Sequence, residues 1–251
     1  MESVKKVFTI INLISKSDQS IEEIAERLNI SKSSCYKYLS ILKEEGYVSK
    51  DKNSKNYKLS NKFIILSKSI INKIDLVNIS LPYIEKLYEK TNESIFLAQV
   101  FDKKLIYLLK KDSDHLLNLN IRIGDTEEYL YCNALGKVVL SDLPKLEKIH
   151  FLENSSLEKR TQNTITDVDK ILDELKLTKK RGYALDSSES YEGIICIAAP
   201  IYNYTNRVIS IMSIASTTIR KEIKELELFK DMLISTCSQI SKDMGYIGKL
   251  L

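Results

Sequence analysis

Ser20-Ile-Glu-Glu-Ile-Ala-Glu-Arg-Leu-Asn-Ile-Ser-Lys-Ser-Ser-Cys-Tyr-Lys-Tyr-Leu39 is the stretch that decides the fold of the N-terminal part. Ser20 followed three residues later by Glu23 forms a capping box, so a helix starts there and buries Ile21, Ile24, Ala25 and Leu28. Asn29 tolerates the left-handed backbone of a tight turn, Ile30 plugs that turn, and Ser31 caps a second helix running to about Glu45. In this second helix Cys35, Leu39 and Leu42 point inward. Lys32, Ser33, Ser34, Tyr36, Lys37 and Ser40 are left on the outer face and at the N-terminal end. Gly46 ends the helix. Tyr47, Val48 and Ser49 then alternate into the polar run Lys50-Asp51-Lys52-Asn53-Ser54-Lys55-Asn56 before Tyr57, Lys58 and Leu59, which reads as a β-hairpin with a basic tip.

Upstream, residues 2–15 carry Val4, Val7, Phe8, Ile11 and Ile14 at helical spacing, and Ile10 and Leu13 widen the apolar stripe beyond one face. A helix apolar nearly all round needs a second contact surface, either in a dimer or against the C-terminal half. Three helices and a hairpin make a winged helix-turn-helix. The second helix of the motif fits the major groove, donors near its N-terminal end reach base edges, and wing lysines meet phosphate. The candidate DNA contacts are therefore Ser31, Lys32, Ser33, Ser34, Tyr36 and Lys37 on the helix, and Lys52, Asn53 and Lys55 on the wing.

Charge agrees with that assignment. The chain has 251 residues and a formal net charge of +4. Residues 1–62 hold 12 Lys or Arg against 8 Asp or Glu, whereas the other 189 residues hold 26 of each, so all of the excess lies in the first quarter. Residues 31–62 alone are net +5, a density suited to a polyanion. A solvated lysine-rich face is the bland alternative. With 43% hydrophobic residues the chain can bury a core, and its longest apolar runs are far shorter than the ~20 residues of a membrane span. No export signal is visible, and Cys35, Cys132, Cys196 and Cys237 are scattered without paired spacing. The expectation is a soluble, cytoplasmic protein with no membrane partner and no disulfide framework.

Beyond the wing, residues 61–73 read as a helix with Phe63, Leu66 and Ile70 on one side, and residues 75–90 as a further helix. Pro82 either kinks that second helix or begins it, which places the interdomain junction near 74–82. From Ser94 the period changes to that of strands: 94–100, 104–109 and about 116–123, the last ending at Gly124. A helix over 133–142, a short helical stretch opened by Pro144, and a longer helix capped by Thr166 and ended by Gly182 follow. Strands near 193–200 and 207–215 precede one long helix over about 219–244. Strand pairs interleaved with helices describe an α+β domain built on a central antiparallel sheet, with room for a ligand on one face.

Catalytic chemistry is not visible. The seven glycines cannot build a phosphate-cradling loop or a dinucleotide fingerprint, and His115 and His150 show no metal-ligand spacing with any cysteine. No catalytic residue, metal ligand or cofactor is expected. Two rivals stay open: an enzyme with a basic interaction module, and a redox sensor using Cys132 or Cys196, which needs a depressed thiol pKa.

The order of motifs resembles the IclR family of bacterial transcriptional regulators over nearly the whole chain. Besides the opening stretch, Leu42-Lys-Glu-Glu-Gly-Tyr-Val48 and the wing ending at Leu59 match. So do Ala134-Leu-Gly-Lys-Val-Val-Leu140, Thr164-Ile-Thr-Asp167, Arg181-Gly-Tyr-Ala-Leu-Asp186, Glu192-Gly-Ile-Ile-Cys-Ile-Ala-Ala-Pro-Ile201 and Ile211-Met-Ser-Ile-Ala215. The resemblance implies a DNA-binding homodimer or dimer of dimers on a near-palindromic double-stranded operator. It also implies a C-terminal GAF-like domain that binds a small organic acid or aromatic metabolite, in a regulator expected to repress catabolic or metabolic genes. The implied boundaries are 1–62 for the winged helix, 63–80 for a linker helix and 81–251 for the effector domain. The implied effector residues are Ala134, Leu135, Asp186, Cys196, Ser213 and Ala215. Small-acid sensors of the family commonly carry a hydroxyl residue where Ala215 stands and a small residue where Leu135 stands. These departures point to an apolar pocket and to an effector larger or less oxygenated than glyoxylate or pyruvate. Arginine is frequent where Lys37 stands, so this lysine is expected on phosphate or a single acceptor.

Overall fold

The structure is a computed structural model that describes residues 2–71, 75–101, 104–115 and 119–248. Its contacts divide the chain into two compact units, Met1–Ile74 and Asp75–Leu251. The expected linker, residues 63–80, straddles that division.

The first unit runs α1 (Glu2–Lys16), α2 (Ile21–Arg27), α3 (Lys32–Glu44), β1 (Val48–Lys50), β2 (Tyr57–Leu59) and α4 (Lys62–Ile71). Both halves of the capping box at Ser20 and Glu23 are formed. Asn29 takes φ 50°, turning the chain into Ser31, whose side chain caps α3. Ile10 and Ile14 of α1 join Ile24, Ala25, Cys35, Leu39, Leu42, Val48 and Tyr57 in one core. Each large apolar side chain buried there contributes about 1.5–3 kcal/mol. Val4 and Phe8, on the other side of α1, remain exposed. The wing is tied to the body at its base, where Gln19 and Tyr57 exchange backbone hydrogen bonds of 3.1 and 2.8 Å. In α4, Phe63 meets the edge of Tyr47 at 5.5 Å between ring centroids. Leu66 stays exposed rather than facing inward, as do Ile64 and Ile65; the side chain of Ile70 lies outside the described residues.

The second unit runs α5 (Asp75–Thr91), β3 (Ser94–Phe101), β4 (Lys104–Lys111), β5 (Thr126–Glu127), α6 (Ala134–Asp142), α7 (Lys145–Glu153), α8 (Val168–Arg181), β6 (Ala184–Ser187), β7 (Ile194–Tyr202), β8 (Val208–Thr217), α9 (Ile223–Glu227) and α10 (Lys230–Asp243). Its six strands pair in the order β5-β4-β3-β8-β7-β6, every pair antiparallel. Helix α6 packs on β6, β7 and β8, with α8 beside it, while α5 and α10 cover the opposite face. Strand alternation separates the two faces. Phe96, Ala98, Ala198, Ile211 and Ala215 belong to the core beneath α6 and α8. Ala199 and Tyr202 meet α10 through Cys237 and Ser241. This is the α+β, GAF-like arrangement expected from the sequence.

Several local expectations are corrected. Of the two alternatives for Pro82, the helix start is ruled out: α5 runs through it, and buried Leu76, Ile84 and Leu87 keep one face anchored on both sides of the proline. The strand expected over 116–123 is not formed at residues 119–123, and 116–118 lie outside the described residues. Leu119 and Ile121, which gave the alternation, pack against the core as partly buried residues of an irregular segment. Pairing resumes only at Thr126–Glu127, opposite Leu105 and Ile106. Asp167, not Thr166, caps α8, because its carboxylate accepts from the Lys170 amide at 2.9 Å. The single helix over 219–244 is two helices, α9 and α10, with Leu228 exposed between them. Strand β6, four residues with alternating burial, escaped the sequence reading.

Candidate functional site

Helix α3 and the wing bring the candidate DNA-contacting residues to the surface of the first unit. Burying Cys35, Leu39 and Leu42 turns Lys32, Ser33, Tyr36 and Lys37 outward, and Tyr36 is 57% exposed. At the N-terminus of α3 the Ser31 hydroxyl accepts from the Ser34 amide at 3.2 Å and donates to Ser34 Oγ at 2.9 Å, and lies 3.0 Å from Ser33 Oγ. Ser34 is thus half-buried and engaged in the cap rather than presented outward. Lys32 Nζ reaches Glu22 Oε1 at 2.8 Å, and this hydrogen-bonded cation holds the Glu22 carboxyl below its ordinary range. Both partners are exposed, so the pair contributes little and exchanges readily for a phosphate.

The wing tip is shaped by Asp51. Its Oδ1 accepts from the amides of Asn53 and Ser54, both at 2.9 Å, and Lys55 sits at φ 62°. Those bonds hold the Asp51 carboxyl below its usual range and leave Lys52, Asn53 and Lys55 projecting into solvent. Lys43, from the last turn of α3, and Lys50, from β1, join Lys52 and Lys55 around one open concavity. Neither Lys43 nor Lys50 was singled out from the sequence, although the net +5 of residues 31–62 already contained both.

In the second unit all six expected effector residues, Ala134, Leu135, Asp186, Cys196, Ser213 and Ala215, line one cavity of about 570 Å³. Sheet register explains the convergence. Asp186 on β6 lies opposite Cys196 on β7, which lies opposite Ala215 on β8, and Ser213 lies opposite Phe96 on β3. The N-terminus of α6 closes another side: Asn133 caps it by accepting from the Gly136 amide at 2.6 Å. Gly136 is required there, because a Cβ would stand 2.3 Å from the Leu130 backbone.

The sequence reading missed the rest of the wall. Tyr107, Leu119, Asn120, Ile121, Asp125, Thr126 and Glu127 also line the cavity, as do Ser190 and Tyr191. Tyr107 meets Phe96 edge-on at 5.7 Å, and burial pushes its phenol pKa upward. Glu127 Oε1 accepts from the Tyr129 amide at 2.9 Å, and Oε2 accepts from the Tyr191 hydroxyl at 3.2 Å. The pocket is consequently more polar than Leu135 and Ala215 alone implied.

Asp186 is 1% exposed, and its carboxylate accepts from the Glu189 amide at 2.7 Å and from the Ser190 hydroxyl. Burial raises its pKa against those bonds. Next to it Lys137 of α6, itself buried, donates to the Leu185 carbonyl at 2.9 Å and pairs with Glu189 at 2.5 Å. The cysteines oppose a redox role: burial raises the Cys132 thiol to about 12 and the Cys196 thiol well above its ordinary value. A depressed pKa is what a reactive thiol needs. Among the described residues, no helix is long and apolar enough to cross a membrane.

Comparison with known proteins finds two family models, in order along the chain. The family model described as the IclR helix-turn-helix domain matches residues 3–52, and the one described as bacterial transcriptional regulator IclR C-terminal matches residues 68–242. The HTH-type transcriptional regulator KdgR of Escherichia coli K12 is 32% identical over 247 residues, which is 98% of this chain and 94% of KdgR. The crystal structure of Thermotoga maritima IclR superposes with a TM-score of 0.77 at 30% identity, over 98% of this chain and all of that one. An IclR homologue from Microbacterium hydrocarbonoxydans, solved with 4-hydroxybenzoate, shares the fold at a TM-score of 0.83 and 16% identity, covering 96% of this chain and 98% of its own. With both of its units matched in order, the chain belongs to the IclR family, and it is a DNA-binding transcriptional regulator with a C-terminal ligand-binding domain rather than an enzyme.

Proposed function

We propose that this protein is a cytoplasmic repressor of metabolic genes whose grip on a near-palindromic operator changes when a small metabolite fills the cavity of the second unit. The observation that carries the reading is the presence, in one chain, of a lysine-faced winged helix and of a partly polar cavity lined by all six expected effector residues. Repression is the simplest output of such a pair, since an occupied operator excludes polymerase. A ligand acts by its differential affinity for DNA-competent and DNA-incompetent arrangements. In the cavity, the first amides of α6 suit a carboxylate, and Ser213 offers a hydroxyl.

On DNA, Lys32, Ser33, Tyr36 and Lys37 enter the major groove with Ser31 and Ser34 at the helix start, and Lys52, Asn53 and Lys55 meet the backbone. A homodimer, or a dimer of dimers, follows from the exposed apolar residues Val4 and Phe8 on α1 and Ile64 and Ile65 on α4, which a second copy would cover. Two-fold symmetry then demands a near-palindromic site. The test is retention of sheared genomic DNA by the purified protein at physiological salt, followed by sequencing. Discrete, near-palindromic enriched sites are expected; uniform retention, or none, would overturn the reading.

A further inference from the structure

The cavity carries three carboxylates, Asp125, Glu127 and Asp186, and neither lysine nor arginine among its lining residues. Three cations stand just outside the lining: Lys110, whose Nζ donates to the Leu119 carbonyl at 2.9 Å, Lys137, engaged by Glu189 and the Leu185 carbonyl beside Asp186, and Arg160. The Arg160 guanidinium sits 4.0 Å from the ring centre of Tyr129 and 4.9 Å from that of Tyr191, and its Nε donates to the Ser190 carbonyl at 3.0 Å. An ionised carboxylate oxygen accepts two hydrogen bonds. Each oxygen of Glu127 takes one, from Tyr129 and from Tyr191, so both retain an open acceptor position. Glu127 is 8% exposed and lines the cavity, so those positions are filled from the cavity, by water or by a ligand. Two further polar groups stand on the same walls: the hydroxyls of Tyr107 and Ser213, 7% and 2% exposed as residues, which make no hydrogen bond within the described protein. Buried polar groups demand partners, and here the cavity is where partners can enter.

We propose, resting on the reading of this cavity as the effector site, that Glu127 is a specificity-determining residue and that the effector is a hydroxyl-rich compound carrying no more than one negative charge. Hydroxyl donors on the ligand complete the acceptor positions of Glu127 and exchange hydrogen bonds with Tyr107 and Ser213. A single carboxylate is tolerated at the α6 N-terminus, away from Glu127. A second carboxylate would be brought against the acidic wall with no cation in the lining to receive it. An aliphatic acid without hydroxyls would strip water from Glu127, Tyr107 and Ser213 and return nothing. The volume of about 570 Å³ lies within the roughly 300–1,000 Å³ of small-molecule sites and accommodates a six-carbon chain.

Three six-carbon probes separate these terms: D-gluconate (hydroxylated, one carboxylate), hexanoate (no hydroxyl) and D-glucarate (hydroxylated, two carboxylates). Each is titrated calorimetrically into the full-length protein and into the variants Glu127→Leu, Glu127→Gln and Ala215→Phe, with circular dichroism verifying that each variant is folded. Gluconate is expected to bind at least about tenfold more tightly than either of the other two. Glu127→Leu should weaken gluconate about tenfold or more, while Glu127→Gln, which keeps one acceptor oxygen, should weaken it less. Hexanoate or glucarate matching gluconate, no binding by any probe, or gluconate binding unchanged in both Glu127 variants would overturn the proposal. In that last case, loss of binding in Ala215→Phe, which fills the cavity, would leave the effector-site reading standing. Unchanged binding in Ala215→Phe would remove that reading as well.

Discussion

The two units place their functional groups in opposite physical settings. On the winged helix, Lys32, Lys37, Lys52 and Lys55 are exposed, and the pair of Lys32 with Glu22 is weak, so a phosphate can take its place at little cost. In the cavity, Glu127, Asp186 and Ser213 are buried, and the pair Lys137 and Glu189 lies beside them almost without solvent. Specificity and stability are therefore coupled around the cavity and separate on the DNA-facing surface. Substitutions on the DNA face should alter binding and leave folding intact, whereas substitutions around the cavity alter both.

The sharpest attempt to break that contrast is Lys137→Met. It leaves Glu189 buried without its cation and should destabilise the second unit by about 3–5 kcal/mol in chemical denaturation. The double variant Lys137→Met with Glu189→Leu should recover much of the loss. An equal loss in the double variant would show that the ion pair is not the cause. A smaller effect, of a different kind, is expected at Lys37→Ala: about 1–3 kcal/mol weaker binding to the selected operator if the lysine reaches a base, with no change in thermal stability. Ser20→Ala tests the converse within the first unit, since the capping box is structural; it should cost about 1 kcal/mol of folding stability, read by thermal melting. The mildest change is Lys55→Ala, which should weaken operator and random DNA alike and reduce the slope of log affinity against log salt by roughly one unit. Sequence-selective loss at Lys55 would contradict the assignment of the wing to phosphate.

The first unit was legible because its signals are local. Ser20 with Glu23, Asn29, Ser31 and Gly46 each fix the backbone within a few residues, and the burial of Cys35, Leu39 and Leu42 then determines which residues of α3 face out. The cavity is assembled from residues between Phe96 and Ala215, brought together by sheet register. Periodicity does not reveal that Asp186, Cys196 and Ala215 share one row across three strands; the family resemblance supplied those positions. Glu127, Tyr107 and Tyr191 escaped both routes. Glu127 ends a two-residue strand preceded by an irregular segment whose alternating Leu119 and Ile121 mimic a strand. The break between α9 and α10 was likewise invisible, because apolar residues continue across it at Leu226, Leu228 and Phe229.

A regulator of this kind requires the cavity to be coupled to DNA binding. The most direct measurement is fluorescence anisotropy of a selected operator duplex titrated with the parent protein and with Ala215→Phe, each with and without the compound that binds the parent in calorimetry. The compound is expected to change the parent's operator Kd by about fivefold or more and to leave that of Ala215→Phe unchanged. The same change in both proteins, or none in the parent, would contradict this coupling.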